Sequence, residues 1–494
     1  MDVAELFAAC RLGRVERVQF LVEERDVELN VRDMWDSTPL YYACLCGHRA
    51  LVEYLLQHGA RCEADTFDGE RALYGALTED IRRLLLQHKA VTKHILRRNE
   101  YEEFLRVLLE SDTDGLADVA LVIHEERFAA HKCILAARSP YFRRQLARRW
   151  RDRDVIRNQH PLCDVIAEAQ DKPVDASAFS AVLRYIYVGR LEIDVELVDD
   201  CLRLCKQFGL DHLEERLRRQ KAEAKFFVAT KMGRTRVRTL VIEPRAGQHE
   251  LHADLAQLAR HALPPADFHC LPFDDDNDGP DDEDEWRHLA DVVFVVEGQH
   301  FRCHKAFFCS RSEFFKALIN DHFHESAADH TGIPVITLHD ISAAAFTAVV
   351  FYMYQDSAEI GADIVTELLF TAEMYLLPGL KKQCAGVMAD HLDCGNVVGV
   401  LRVARQLQLP RLQAACVEFI AKNIETLIRS AELQALIVED AQDVQERQET
   451  DTIDVVDDIR FYVTSNVQTT SQMADARDRL ALIDGLLEQL GLDA

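Results

Sequence analysis

Hydrophobic positions in residues 1–97 recur three or four apart in short segments that turns separate, which predicts pairs of short helices. In Asp33–Ala60, Thr38-Pro39 is placed to open one helix and Gly47 to end it. Proline fits the first helical turn because its missing N–H would be unpaired there, and glycine adopts positive φ at low cost. The repeating unit is therefore turn, helix, turn, helix.

A second pattern occurs twice, in Asp118–Leu146 and in Asp291–Ile319, and the two segments align without a gap at an offset of 173. In each segment, alternating residues predict a strand, which a tight turn joins to a short second strand that ends in His-Lys. Apolar residues at helical spacing follow. The alignment resumes from Phe179 and Phe346 at an offset of 167. A whole domain is therefore duplicated; we call residues 112–220 the first copy and 287–385 the second copy.

The remaining segments are simpler. Residues 221–286 start basic and end acidic, with nine acidic residues among the twelve from Asp274 to Glu285, and we interpret them as a linker with a solvated acidic run. Residues 386–494 show helical spacing, interrupted at Pro410, and end in an amphipathic stretch.

Composition narrows the partner classes. The 57 basic and 84 acidic residues of the 494-residue chain leave a formal charge of −27, which disfavours nucleic acid and anionic lipid as main partners. The N-terminus lacks the pattern of a signal peptide, and no apolar run suits a membrane span. Fourteen irregularly spaced cysteines indicate reduced, buried thiols. We expect a cytoplasmic protein, with the nucleus left open.

The helical unit of residues 1–97 has a period of 33 to 34 residues, seen in Leu6, Leu40 and Leu73. This period, the Thr-Pro-Leu sequence at 38–40 and the Gly-His pair at 47–48 resemble those of ankyrin repeats. The third unit is shortened, which suits a degenerate cap. Ankyrin recognition resides in variable surface residues, and here Met34, Trp35 and Tyr42 are the candidates.

The duplicated segment resembles the BTB/POZ fold through its D-V-x-[LV]-x-V, F-x-A-H-K and S-x-[YF]-F motifs and a Phe-led helix ending in Y-x-Y. The resemblance implies a cluster of helices flanked by a small sheet that serves protein association. Within the helical region and C-terminal tail of residues 386–494, His391–Ile428 looks like the start of a BACK domain, the helical extension of many BTB proteins. The fold class is therefore α+β multidomain: a short ankyrin helical array, two BTB/POZ domains and a helical BACK-like C-terminal region.

No catalytic motif is present, and we do not expect an enzyme, a cofactor or a metal. His300, Cys303 and His304 cluster in sequence, but the equivalent His131 lacks such neighbours. A structural role shared by both copies explains the histidine better than a metal, which needs three or four convergent ligands.

Two sets of site residues follow from the BTB resemblance. Phe323-His324-Glu325 fits the apolar-x-Glu pattern with which several BTB adaptors dock cullin-3, so Phe323 and Glu325 are the candidate contacts; Phe323 could instead pack on its own domain. The pairs Asp118/Lys132 and Asp291/Lys305 either line the charged pocket known in some BTB dimers or make contacts within one domain.

The architecture resembles the ankyrin repeat and BTB/POZ domain-containing proteins. It implies a substrate-recruiting adaptor of a cullin-3 RING ubiquitin ligase, which binds a protein substrate through the ankyrin or other surfaces and cullin-3 through a BTB domain. The two copies would pair within the chain, with a homodimer as an open possibility. The alternative is a scaffold without ligase function, in which all domains serve protein association only.

Overall fold

A computed structural model describes most of the chain. The described residues are 2–23, 25, 27–33, 35, 37–60, 62, 67–88, 100–111, 115–123, 126–151, 155–157, 175–230, 238–243, 250–264, 286, 288–321, 332–443, 453–465 and 470–492. The chain divides into two compact units, the first formed by residues 1–311, 315–338 and 353–356 and the second by 312–314, 339–352 and 357–494.

Three helical pairs form the N-terminal part of the first unit. The helices are α1 (Asp2–Leu12), α2 (Val15–Glu23), α3 (Pro39–Cys46), α4 (Arg49–Gln57), α5 (Phe67–Gly75) and α6 (Glu79–His88). The predicted start of α3 is confirmed, because the Thr38 hydroxyl accepts a hydrogen bond from the Tyr41 N–H at 3.2 Å and Pro39 opens the helix. Gly47 ends it at φ +82°, a left-handed conformation that glycine adopts without strain.

The first copy combines a three-stranded sheet with helices. Its elements, with the helix that precedes it, are α7 (Glu100–Glu110), β1 (Val119–Ile123), β2 (Glu126–Ala130), α8 (Lys132–Arg138), α9 (Pro140–Arg148), β3 (Val155–Arg157), α10 (Ala176–Val188), β4 (Leu191–Asp194) and α11 (Val198–Phe208). The strand order is β2-β1-β3, with β1 antiparallel to β2 and parallel to β3. The predicted hairpin that leads into a helix is confirmed.

The segment between the copies contributes ordered elements that its charge pattern does not indicate. They are the end of α12 (Asp211–Thr230), β5 (Thr239–Ile242) and α13 (Glu250–Ala262). Strand β5 pairs antiparallel with β4, and α13 buries an apolar stripe that includes Leu255 and Leu258. The predicted linker 221–286 is therefore partly built into the first unit; its acidic run, 274–285, lies outside the described residues.

The second copy repeats the topology of the first. Its elements are β6 (Val292–Val296), β7 (Gln299–Cys303), α14 (Lys305–Arg311), α15 (Glu313–Asp321), β8 (Val335–Leu338), α16 (Ala343–Gln355), α17 (Val365–Met374) and α18 (Pro378–Asp390). The sheet order β7-β6-β8 has the same antiparallel and parallel pairings as that of the first copy. The duplication predicted from the sequence is confirmed at the level of strand register.

The C-terminal part of the second unit is helical, as the spacing predicts. Its helices are α19 (Val397–Gln406), α20 (Pro410–Lys422), α21 (Ile424–Leu427), α22 (Ala431–Asp443), α23 (Asp454–Ser465) and α24 (Thr470–Leu490). Pro410 occupies the first turn of α20, which explains the interruption in the pattern.

A buried ionic cluster joins the helical pairs to the first copy within the first unit. Nε of Arg32 lies 3.8 Å from a carboxylate oxygen of Glu243, and Nη2 of Arg190 donates to the other oxygen at 2.8 Å. Arg32 and Glu243 are almost fully buried. Because burying an uncompensated charge costs free energy, this pairing favours one fixed position of the helical pairs relative to β4 and β5.

Candidate functional site

The signature histidine of each copy is buried and bonded to the tyrosine that ends the Y-x-Y motif. The Tyr187 hydroxyl accepts from the His131 backbone N–H at 2.8 Å and lies 2.9 Å from Nδ1. Tyr354 makes the same contacts with His304, at 3.0 and 2.7 Å. Burial lowers the pKa of His304 to about 3, so this imidazole is neutral at physiological pH. The motif therefore ties the second hairpin strand to a core helix in both copies.

The aspartates of the two candidate pairs hold the first N–H of a helix. Asp118 accepts from the Lys132 backbone N–H, and Asp291 accepts from that of Lys305, both at 2.7 Å. Each of these contacts lies within its own copy. Burial, with a smaller contribution from the charge of Asp118, raises the pKa of Asp291 to about 7 against the opposing effect of Lys305. The two aspartates are thus within electrostatic reach of each other.

Helix α7, which precedes the first copy, also contacts the second copy within the first unit. The Tyr101 hydroxyl donates to the Tyr354 carbonyl, and the Phe104 ring lies 6.1 Å from that of Phe307. The guanidinium of Arg311 stands 4.9 Å from the Tyr101 ring centroid and 5.6 Å from that of Phe104. Helix α7 therefore packs against the second copy.

Helix α13, which precedes the second copy, makes the reciprocal contact. Asp254 forms an ion pair with Arg138, and Glu250 accepts from the Tyr185 hydroxyl at 3.3 Å. Arg138 and Arg311 occupy equivalent positions, and each also donates to a carbonyl near the end of its own copy's core helix, at 3.0 Å. The helix that precedes each copy therefore also packs against the other copy, beside one of two equivalent arginines; we call this arrangement the helix exchange.

An exposed apolar face lies on α17 and just after it in the second unit; we call it the apolar face of α17. Phe370, Met374 and Leu376 expose 41%, 45% and 57% of their surface. The neighbouring Tyr375 is buried and stacks on Phe314 at the start of α15, with ring centroids 4.8 Å apart. The Tyr375 carbonyl also accepts a hydrogen bond from the Ser312 hydroxyl at 2.7 Å, so the end of α17 is held to the beginning of α15 while the three apolar side chains stay on the surface.

Comparison with known families decides what these domains are. The BTB/POZ domain family matches residues 108–223 and 282–392, and the family of ankyrin repeats in three copies matches residues 6–99. This chain is an ankyrin repeat and BTB/POZ domain-containing protein. The first and second copies are its first and second BTB domains, and the predicted fold class is confirmed.

Two relatives align with almost the whole chain. BTB/POZ domain-containing protein 3 of Schizosaccharomyces pombe is 28% identical over 520 aligned residues, which cover 100% of this chain and 90% of the relative. An ankyrin repeat-containing protein of Saccharomyces cerevisiae is 26% identical and covers 93% of this chain and 88% of its own length. Kelch-like protein 21 of Danio rerio is 28% identical over 150 residues, 30% of this chain and 24% of that protein. Both domain types serve protein–protein interaction, so the chain is built as an interaction protein.

The first BTB domain lacks the apolar face. At the offset of 167, Phe370, Met374 and Leu376 correspond to Arg203, Gln207 and Gly209, and Arg203 forms an ion pair with Asp200. Trp150, the aromatic residue after α9, is completely buried against the rings of Tyr141 and Phe142. The first domain therefore has two polar side chains and a glycine where the second presents apolar side chains. The apolar residues of α17 were not among the predicted site residues, although aligning the two copies at this offset would have shown the difference.

The predicted cullin contacts Phe323 and Glu325 lie outside the described residues. They follow α15, the helix whose first turn stacks on Tyr375 beside the apolar face. Their role stays a prediction.

The predicted ankyrin surface is partly described. Trp35 is 65% exposed at the turn before α3. Tyr42 is more enclosed: its hydroxyl donates to Asp33 at 2.6 Å, and the Arg11 guanidinium stands 4.3 Å above its ring. Met34 lies outside the described residues. Trp35 is therefore the candidate that a partner reaches most easily.

No described helix is long and apolar enough to cross a membrane. Among the same residues, no three histidine, cysteine, aspartate or glutamate side chains are grouped so that they could hold a metal ion.

Proposed function

We propose that the chain is a substrate-recruiting adaptor of a cullin-3 RING ubiquitin ligase, with the second BTB domain as its cullin-3 contact and the ankyrin repeats or other surfaces as its substrate contact. It performs no chemistry itself. Its contribution is to hold a protein substrate near the catalytic subunits, which raises the effective concentration of the reacting groups.

The apolar face of α17 is the observation that carries this proposal. A docking face of a protein partner needs exposed apolar anchors at its centre, and Phe370, Met374 and Leu376 supply them in the second domain. The equivalent polar residues of the first domain offer no such anchors. The sequence pattern that suggests cullin-3 docking, Phe323-x-Glu325, occurs in the same second domain, so two independent features favour the same copy.

The exchange of α7 and α13 supports pairing of the two BTB domains within the chain. Each BTB domain of a homodimer receives contacts from a second subunit, whereas here both sets of contacts come from one chain. In this proposal the first domain completes the pair and the second docks cullin-3.

The test is a binding titration of the full-length protein against the purified cullin-3 N-terminal region. Phe370→Glu with Met374→Glu places two charges in the centre of the face, and we expect the Kd to rise by about a hundredfold because desolvating a carboxylate there is costly. The matched control is Arg203→Glu with Gln207→Glu, the equivalent positions of the first domain, for which we expect a change of less than about twofold. Phe323→Ala with Glu325→Arg tests the sequence motif in the same assay.

Equal losses in the face variant and its control would refute the assignment to the second domain. If the unaltered protein gives no complex at micromolar concentration, the ligase role fails and the scaffold function replaces it.

A further inference from the structure

We propose that the first BTB domain carries a second docking surface, an arginine stripe formed by Arg144, Arg148 and Arg151, which binds an acidic segment of a partner protein. This surface is separate from the apolar face of the second domain. The inference therefore does not depend on cullin-3 binding.

The stripe lies on and just after α9, a helix without an acidic residue. Arg144 and Arg148 are four residues apart and so project from nearly the same side of the helix. All three arginines are exposed. Arg144 donates through Nε to the Pro140 carbonyl at 3.1 Å, and none of the three forms an ion pair with a carboxylate of the described residues. Their guanidinium groups retain N–H donors for carboxylates of a partner.

A buried tryptophan, Trp150, anchors the C-terminal end of the stripe. Trp150 is fully buried, its ring lies 6.0 and 6.2 Å from those of Tyr141 and Phe142, and its backbone N–H donates to the Gln145 carbonyl at 2.9 Å. This anchor fixes the chain between Arg148 and Arg151. A surface with a fixed backbone loses less conformational entropy when it binds, so the stripe is suited to recognition.

The stripe is specific to the first domain and runs against the composition of the chain. At the offset of 173, Arg144 and Arg148 correspond to Ala317 and Asp321 in the second domain. A local group of arginines in a chain of formal charge −27 is a departure from the average surface. Arginine binds carboxylates in a bidentate fashion, which identifies an acidic peptide as the matching ligand.

The acidic run 274–285 of this chain is the competing occupant. It ends next to Trp286, whose ring lies 5.1 Å from the guanidinium of Arg143 and stacks on His261 at 4.7 Å. Arg143 is about 100° around the helix from Arg144, so Trp286 contacts a neighbouring side of α9 and not the stripe. For this reason we assign the stripe to a segment of another protein.

The experiment measures fluorescence anisotropy of a labelled alternating Glu-Ser peptide with the full-length protein, beside a Gln-Ser peptide of equal length. We expect binding of the Glu-Ser peptide only. Arg144→Glu, Arg148→Glu and Arg151→Glu together should weaken it by at least about tenfold, since attraction becomes repulsion. A set of Arg→Gln changes at the same positions removes the charge with less risk to folding.

The matched control reverses three exposed arginines elsewhere, Arg411, Arg429 and Arg477, and so changes the net charge equally. An equal loss in this control would overturn the proposal, because binding would then follow net charge alone. Absence of binding by the unaltered protein would also overturn it. If binding then appears after the acids of 274–285 are replaced by their amides, the occupant is the chain's own run.

Discussion

The surroundings of Asp291 have opposing effects on its pKa. Its carboxylate accepts the Lys305 N–H at 2.7 Å, which favours the charged form, while burial and the nearby Asp118 favour the protonated form. The net result is a pKa of about 7, well above the ordinary value for aspartate of about 4. The folded state therefore holds this proton more tightly than the unfolded state between these two pH values. Linkage then requires that the contribution of Asp291 to stability falls as pH rises through that window.

We predict that Asp291→Asn stabilises the protein at pH 8 and has a smaller effect at pH 5. Asparagine keeps an oxygen that can accept the Lys305 N–H, but it carries no charge to desolvate. We expect a rise in thermal unfolding midpoint of about 2–6 °C at pH 8. Thermal scans at both pH values, with Asp118→Asn as a comparison, measure it. A larger gain at pH 5 than at pH 8 would contradict the prediction.

At the scale of elements, α7 and α13 make the contacts that join the two copies. Each has an ordinary apolar stripe, with Leu105 and Leu255 fully buried. What distinguishes them is that Tyr101 and His252, one from each helix, also stack on each other at 5.4 Å. The two exchanged helices therefore contact one another as well as the opposite copy.

We predict that Tyr101→Ala destabilises the first unit by about 3 kcal/mol or more. The substitution removes a buried ring, its contact with Arg311 and the hydrogen bond to the Tyr354 carbonyl. Val107→Ala on the same helix, at a largely exposed position, should cost less than about 0.5 kcal/mol. Urea unfolding of both variants tests this, and similar losses would show that the exchange contributes little.

Sequence predicted some elements well and others not at all, for physical reasons. The copies, the start of α3 at Thr38-Pro39 and the break at Pro410 depend on local patterns, which a sequence displays directly. Strand β5 and the exchange of α7 and α13 depend on pairing with distant partners. The apolar residues of α17 follow an ordinary helical pattern, and only the fold shows that Phe370 is on the surface while Leu369 is buried.

At the scale of the whole molecule, the proposed pairing of the two BTB domains within one chain would leave no need for a second chain. We predict that light scattering gives the mass of one chain, 56.3 kDa, at micromolar concentration, and that one chain binds one cullin-3 N-terminal region. A particle of twice that mass whose formation depends on concentration would contradict the internal pair. Absence of any complex would instead count against the cullin-3 proposal.

The helix exchange also has consequences for fragments of the chain. A product that begins between the two copies retains α17 and its apolar face, but it lacks α7 and therefore the ring contacts around Arg311. A product that stops before α13 keeps the ankyrin repeats and the arginine stripe but leaves Arg138 without Asp254. Truncated forms would thus expose apolar surface and a charged group that the full chain covers, and we expect each fragment to be less stable than the same residues in the full chain.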